Sequence, residues 1–252
     1  MRHELKIRAS MMGLLMTEPK TLKEGPLSVG AKTAIRNIAA QDILGVDFEV
    51  SDKKLEKGIL VELDNLALFN SVFGRAAVKN TERRSDDYFT GEADVLDDDE
   101  VVDLKSAWSA ATFPILMEDV ERGQRVLYEF QGRVYMRLWN KPRFRIAYGL
   151  VDTPESLIGN FEPLPLHVVS HIPEHLRMTS WAIDRDPSIE AVMVEKVKHA
   201  RTYYADVIAE FDRTHYMRRV QRAQVPAAAA AISNPPFSIA EPAVADLADA
   251  DF

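Results

Sequence analysis

The stretch GEADVLDDDEVVDLKSAWS, residues 91–109, decides how the chain folds. Two apolar runs flank the acids Asp97, Asp98, Asp99 and Glu100, so residues 88–105 read as strand, polar turn and strand, a β-hairpin turning at 97–100. The strands carry Asp94, Asp103 and Lys105, where β-propensity favours Val or Ile. Side chains alternate along a strand, which puts Asp103 and Lys105 on one face, with Asp94 on the partner strand able to sit across from them.

Two convergent carboxylates suit a hard cation such as Mg²⁺, which prefers oxygen ligands and keeps several waters. A neighbouring Lys can orient or deprotonate a metal-bound water and stabilise charge on a phosphate, the apparatus of metal-assisted phosphodiester hydrolysis. An acid-x-Lys triplet alone says little: Glu4-Leu5-Lys6, Glu18-Pro19-Lys20 and Asp52-Lys53-Lys54 have the same form. Only Asp103-Leu104-Lys105 falls on a predicted strand after a hairpin turn, with a further Asp on its partner.

The surrounding chain supplies more. Apolar residues at three- and four-residue spacing predict helices over 31–44 and 58–73, and the second carries Glu62, which could reach a metal from another direction. An amphipathic helix is predicted over 124–139, where Gln131 and Tyr135 share a face. A β-like run follows at 144–151. Asp186-Pro187 is a good helix start, and a helical pattern continues to about Arg222, basic along one side through Lys196, Lys198, Arg201, Arg213, Arg218, Arg219 and Arg222. That basic side reads either as a solvated charged face or as a nucleic-acid contact.

Composition sets the bounds. With 252 residues, 46% of them hydrophobic, the chain can bury a substantial core, and with 28% charged residues it does not read as a membrane protein. No apolar run approaches the roughly 18 residues needed to cross a bilayer. The short apolar stretch at 9–16 reads as a helix of the mature protein, since Thr17-Glu18-Pro19-Lys20 does not resemble a signal-peptide cleavage site. The absence of cysteine excludes disulfides and Cys-ligated metals and makes the cytoplasm the natural expectation. A net charge of −8 gives no global attraction to nucleic acid, so any DNA contact requires locally concentrated basic residues. Residues 1–222 read as one domain, and 223–252, rich in Ala and Pro and ending on spaced acids, as a disordered acidic tail.

Taken in order, these pieces resemble the PD-(D/E)XK nucleases, in particular the RecB-like branch and phage exonucleases similar to lambda exonuclease. The family pattern is a helix Glu, then G-x-x-D, (D/E)-x-K and Q-x-x-x-Y. It is matched here by Glu62, Gly91-Glu92-Ala93-Asp94, Asp103-Leu104-Lys105, and Gln131 with Tyr135, over roughly residues 1–220. Ala93 stands where Pro is common and Asp103 where Glu is frequent, and neither departure removes a ligand. The resemblance implies an α/β core with a mixed central sheet flanked by helices and a long C-terminal helix. It implies Mg²⁺, with Mn²⁺ as a substitute, held by Asp94, Asp103, Glu62 and the Leu104 backbone carbonyl. Lys105 would then activate water, while Gln131 and Tyr135 orient substrate or the lysine. It further implies a DNA substrate and a role in phage recombination or end resection beside a single-strand annealing or single-stranded DNA-binding protein. An endonuclease of the same fold, or a non-catalytic protein that binds DNA or a partner, remain alternatives.

Other features read as structural. His167, His171 and His175 recur every four residues, but Pro163, Pro165 and Pro173 break any continuous helix that could align them on a metal. Trp108 and Phe113 read as packing aromatics with base stacking as the alternative, and the acids at 97–100 as a solvated turn. The tail's closing acids and Phe252 resemble the acidic tip of bacterial single-stranded DNA-binding proteins, read here either as a solubilising tail or as a docking segment.

Overall fold

The computed structural model describes residues 4–48 and 52–224, with side chains as far as 216. The acidic tail expected from 223 onward therefore lies almost wholly outside the described residues. The chain divides into a unit spanning 1–208 and a second beginning at Ala209.

The first unit opens on strand β1 (Ile7–Arg8) and helix α1 (Ala9–Leu15), so the short apolar stretch is a helix, as expected. Helix α2 (Val29–Leu44) starts where the Ser28 hydroxyl accepts the Ala31 N–H at 3.1 Å. It stops at Gly45, whose φ of 65° is left-handed. The single helix expected over 58–73 is two: α3 (Lys53–Leu60) and α4 (Glu62–Phe73), broken at Val61 (φ −104°, ψ 14°). They serve different neighbours. Helix α4 buries Leu66 and Phe69 against the sheet, whereas α3 turns Lys57 inward, and one straight helix cannot aim both sets.

The predicted hairpin is also more divided than its sequence implies. Strands β2 (Arg84–Ser85) and β3 (Phe89–Gly91) join β1 in a small sheet of order β1-β3-β2. The hairpin proper is β4 (Val95–Leu96) and β5 (Glu100–Ser106). Helix α5 (Arg122–Trp139) then carries the chain to β6 (Arg143–Gly149), which pairs parallel to β5. Strand β7 (Met178–Asp184) completes a mixed sheet of order β4-β5-β6-β7. Helix α6 (Pro187–Gln224) follows, its first turn capped by Asp186, which accepts the Ser188 N–H at 2.9 Å. This is the expected mixed α/β architecture.

Alternation along β5 splits the core. Val101 faces the α5 side with Val134, Phe144 and Ile146, and Val102 faces α4 with Leu66, Phe69 and Ala147. Helix α5 lies close on β6 because Gly132 has no side chain: a Cβ there would come within 2.0 Å of the Phe144 ring. Among the described residues no helix is long and apolar enough to cross a membrane.

The acids at 97–100 are not a solvated turn throughout. Glu100 is only 1% exposed, bound by Arg145 Nε at 3.0 and 3.2 Å and paired with Arg75 at 3.0 Å. An acid on the inward face of a strand needs such partners, which charge counting along the sequence does not reveal. Glu100→Ala would leave Arg145 charged and largely buried, and is expected to cost about 3–5 kcal/mol of unfolding free energy, measured by urea denaturation. Glu100→Asp should cost less.

In the second unit, which continues α6, Arg213 pairs with Glu210 at 2.5 Å and Phe211 stacks on His215 at 5.5 Å.

Candidate active site

The carboxylates and the lysine meet at the C-terminal half of β5. Asp94 sits in the bend before β4 rather than on a strand, because β3 ends at Gly91 and joins the other sheet. From there its Oδ2 accepts the Leu104 N–H at 2.6 Å, a bond that fixes the Asp94 carboxylate against the middle of β5. Asp103 is 2% exposed. Its Oδ1 accepts from Gln131 Nε2 at 3.1 Å, and the same amide nitrogen donates to the Tyr135 hydroxyl at 2.9 Å. Its Oδ2 lies 2.5 Å from Lys105 Nζ, an ion pair that joins the two side chains. Asp103 and Lys105 share a face, as their spacing requires.

The glycine of the G-x-x-D segment has a steric reason. A Cβ on Gly91 would approach the Tyr135 ring to 2.8 Å, displacing the residue that braces Gln131 and through it Asp103. Glu62, the first residue of α4, reaches the same cleft and is ion-paired with Lys79. The cleft has a volume of about 910 Å³, and Asp94, Leu104, Lys105, Ser106 and Tyr128 also line it. Asp103, Gln131 and Tyr135 lie behind that surface. Among the described residues no group of three or more His, Cys, Asp or Glu side chains converges as a ready metal cage.

Crowding shifts the ionisation of the site. Burial, reinforced by the Asp103 charge, pushes Asp94 up to about 7. Burial pulls the Lys105 ammonium down, but the Asp103 and Asp94 carboxylates outweigh it and hold the group above the usual lysine range. Burial, with the Asp103 charge, keeps the Tyr135 phenol protonated well beyond the usual tyrosine range, so it serves as a neutral hydrogen-bonding group.

Three residues beside the site gave no clear signal in sequence. Asn65, 1% exposed on α4, donates to the Lys105 carbonyl at 3.1 Å and to the Ser106 hydroxyl at 3.0 Å. A polar residue inside the apolar ELDNLALF helix was its one clue. Lys57 is fully buried, and its ammonium donates to the carbonyls of Ala107 (2.6 Å), Trp108 (3.1 Å) and Val151 (3.0 Å), tying α3 to the ends of β5 and β6. Burial pulls it down to about 8, the Asp152 charge opposing. The third, Tyr128, places its ring centroid 5.1 Å from Lys105 Nζ.

The histidines and aromatics outside this constellation have mixed surroundings. Buried His167 pairs with Glu162 at 2.9 Å and meets Thr153 Oγ1 at 3.2 Å, while His171 and His175 are exposed. Trp108 donates to Glu162 at 2.8 Å and meets the His167 ring edge-on, although it also lines the cleft with Phe113. The basic side of α6 is largely committed to the chain itself. Lys196 donates to the Pro26 carbonyl at 3.0 Å, Lys198 pairs with Glu195, and Arg201 binds the Leu5 carbonyl at 2.9 Å and pairs with Glu4. The side chains of Arg218, Arg219 and Arg222 lie outside the described residues.

Neither a protein-family model nor a curated protein matches the sequence. Solved structures do. A phage-related exonuclease from Haemophilus somnus 129PT is 30% identical over 83% of this chain and 97% of its own, with a TM-score of 0.77. The chain belongs to the lambda exonuclease-like family of PD-(D/E)XK nucleases. The same fold recurs in the alkaline exonuclease of Laribacter hongkongensis. It is 14% identical with a TM-score of 0.55, covering 87% of this chain and 95% of its own. In complex with dAMP that enzyme matches at 16% identity and a TM-score of 0.57. As a member of this family the protein is a phage-type nuclease.

Proposed function

We propose that the protein is a Mg²⁺-dependent deoxyribonuclease, an exonuclease that degrades linear double-stranded DNA from its ends during phage recombination or end resection. The observation that carries this reading is Asp94 and Lys105 lining one cleft, with Asp103 buried behind them and ion-paired to Lys105. Two carboxylates crowd a poorly solvated spot: burial resists the ionisation of Asp94, and the Asp103 charge beside it adds repulsion. A hard divalent cation relieves both conditions, so the residues present fit Mg²⁺ or Mn²⁺. Asp94, Asp103 and the Leu104 carbonyl would hold it, with Glu62 assisting once released from Lys79. When bound, such an ion polarises the scissile phosphate and lowers the pKa of a coordinated water.

The chain's own groups divide the remaining work. Gln131, braced by Tyr135, fixes the Asp103 carboxylate through one oxygen and leaves the other for the ion and Lys105. Lys105 orients the attacking water and balances charge on the phosphate. The Asp103 and Asp94 charges keep that ammonium protonated, the form that donates to the attacking water and meets the phosphate charge. The dAMP held by the Laribacter enzyme is a mononucleotide of the kind an exonuclease releases, and the same product class is proposed here.

The test is a time course on end-labelled linear duplex and covalently closed circles with Mg²⁺ or Mn²⁺. Linear DNA should disappear with release of mononucleotides while circles survive. Rapid nicking of circles would favour the endonuclease reading, and no cleavage of either would overturn the enzymatic one.

A further inference from the structure

The hydrogen bonds of Gln131 and Tyr135 serve Asp103: Gln131 donates to its carboxylate, and the Tyr135 hydroxyl accepts from the same Gln131 amide. The aromatic ring near the lysine belongs to Tyr128, three residues before Gln131 on α5, with its centroid 5.1 Å from Nζ. We propose that Tyr128 is a positioning residue for Lys105, its ring face holding the ammonium at the angle catalysis needs. The proposal rests on the reading of Lys105 as the lysine of the active site.

Lysine has a flexible four-carbon stem, and an ion pair with Asp103 on the same strand fixes a distance without fixing a direction. An aromatic face supplies the second restraint, since its quadrupole attracts a cation lying over it. The ring is itself held firmly. Gln124 Nε2 donates to the Tyr128 hydroxyl at 2.5 Å, and the Tyr148 ring meets the Tyr128 ring edge-on, centroids 6.2 Å apart. Tyr148 is the β6 partner of Lys105 across the parallel ladder, and it stacks on Trp181 of β7 at 6.0 Å and 18°. A run of rings thus crosses the sheet from β7 through β6 and ends on the ammonium. Roles divide accordingly: Gln131 and Tyr135 fix the carboxylate, and Tyr128 fixes the lysine.

The test uses the full chain with Tyr128→Leu and Tyr128→Phe, each checked by thermal melting. Removal of the ring in Tyr128→Leu should lower kcat about tenfold, with KM for linear duplex within about twofold of wild type. Tyr128→Phe keeps the ring and loses only the hydroxyl and its hydrogen bond, so kcat should stay within about threefold. A readout independent of turnover is the order parameter of the Lys105 ε-carbon in metal-free protein, which should fall in Tyr128→Leu and not in Tyr128→Phe. An unchanged kcat in folded Tyr128→Leu would overturn the proposal. So would a rise in KM alone, which would make the ring a stacking surface for bases. Should Tyr128→Leu fail to fold, Tyr128→Met is judged by the same criteria, and failure of both would make Tyr128 a core residue and end the proposal. Lys105→Ala separates the two levels. If it retains full activity the reading of the site fails. If it is inactive while Tyr128→Leu is fully active, only the role of Tyr128 fails.

Discussion

Lys105→Ala is expected to lower turnover on linear duplex by about 10²–10⁴-fold, the usual worth of a positioned acid–base group, while metal affinity changes little. The carboxylates that would hold the ion remain, and loss of the neighbouring ammonium removes a repulsive charge. Calorimetric titration of Mn²⁺ beside single-turnover cleavage separates the two effects. Asp103→Asn should behave differently, losing both affinity and turnover, because its buried side chain would supply a neutral amide oxygen in place of a carboxylate. Truncation of Lys105 leaves the buried Asp103 carboxylate without its cation and should lower the melting temperature, so turnover is compared well below the melting transition of the variant. Wild-type turnover by Lys105→Ala in Mg²⁺ would contradict the catalytic assignment outright.

Asp94→Asn is expected to make the metal-free protein more stable at pH 8 and to leave it nearly unchanged at pH 4. The folded state holds Asp94 up to about 7, above the unfolded value of a carboxyl. The folded protein therefore binds the Asp94 proton more tightly than the unfolded chain does. Ionisation costs stability progressively as pH rises from about 4 to about 7, and the cost is fully present above that. Asn removes the charge while its amide oxygen can still accept the Leu104 N–H. The gain at pH 8 should be on the order of a few kcal/mol, at about 1.4 kcal/mol per pH unit of displacement. Mg²⁺ should narrow the difference, since an ion that binds only the folded wild type stabilises it by about 2.7 kcal/mol at a hundred times Kd. Urea denaturation at the two pH values, with and without Mg²⁺, checks each sign. A variant less stable than wild type at pH 8 without metal would show that Asp94 is an ordinary paired carboxylate.

Much of this was legible in sequence because the site depends on strand periodicity. The two-residue spacing of Asp103 and Lys105 fixes a common face whatever surrounds them, and the i, i+4 spacing of Gln131 and Tyr135 does the same on α5. What could not be read was long-range partnership. Nothing local marks Lys57 as the buried cap of carbonyls fifty or more residues away, or Glu100 as the one buried acid of an otherwise polar turn. Asp94 looked like a strand residue because Ala93 and Val95 flank it. Its bend arises where the chain leaves one sheet for another, which is a property of topology. The break at Val61 has the same origin, since no Gly or Pro marks it and only the different burial demands of α3 and α4 impose it. Tyr128 carries no such mark, because its closeness to Lys105 depends on how α5 packs across β5 and on no local spacing.

Anomalous diffraction from crystals soaked in Mn²⁺ would locate the divalent cation proposed for Asp94 and Asp103 at the end of β5. An anomalous peak is expected in contact with the carboxylate oxygens of both residues, and it should be lost in Asp103→Asn. A peak found only elsewhere in the molecule, with the Asp94 and Asp103 carboxylates free of metal, would contradict that proposal.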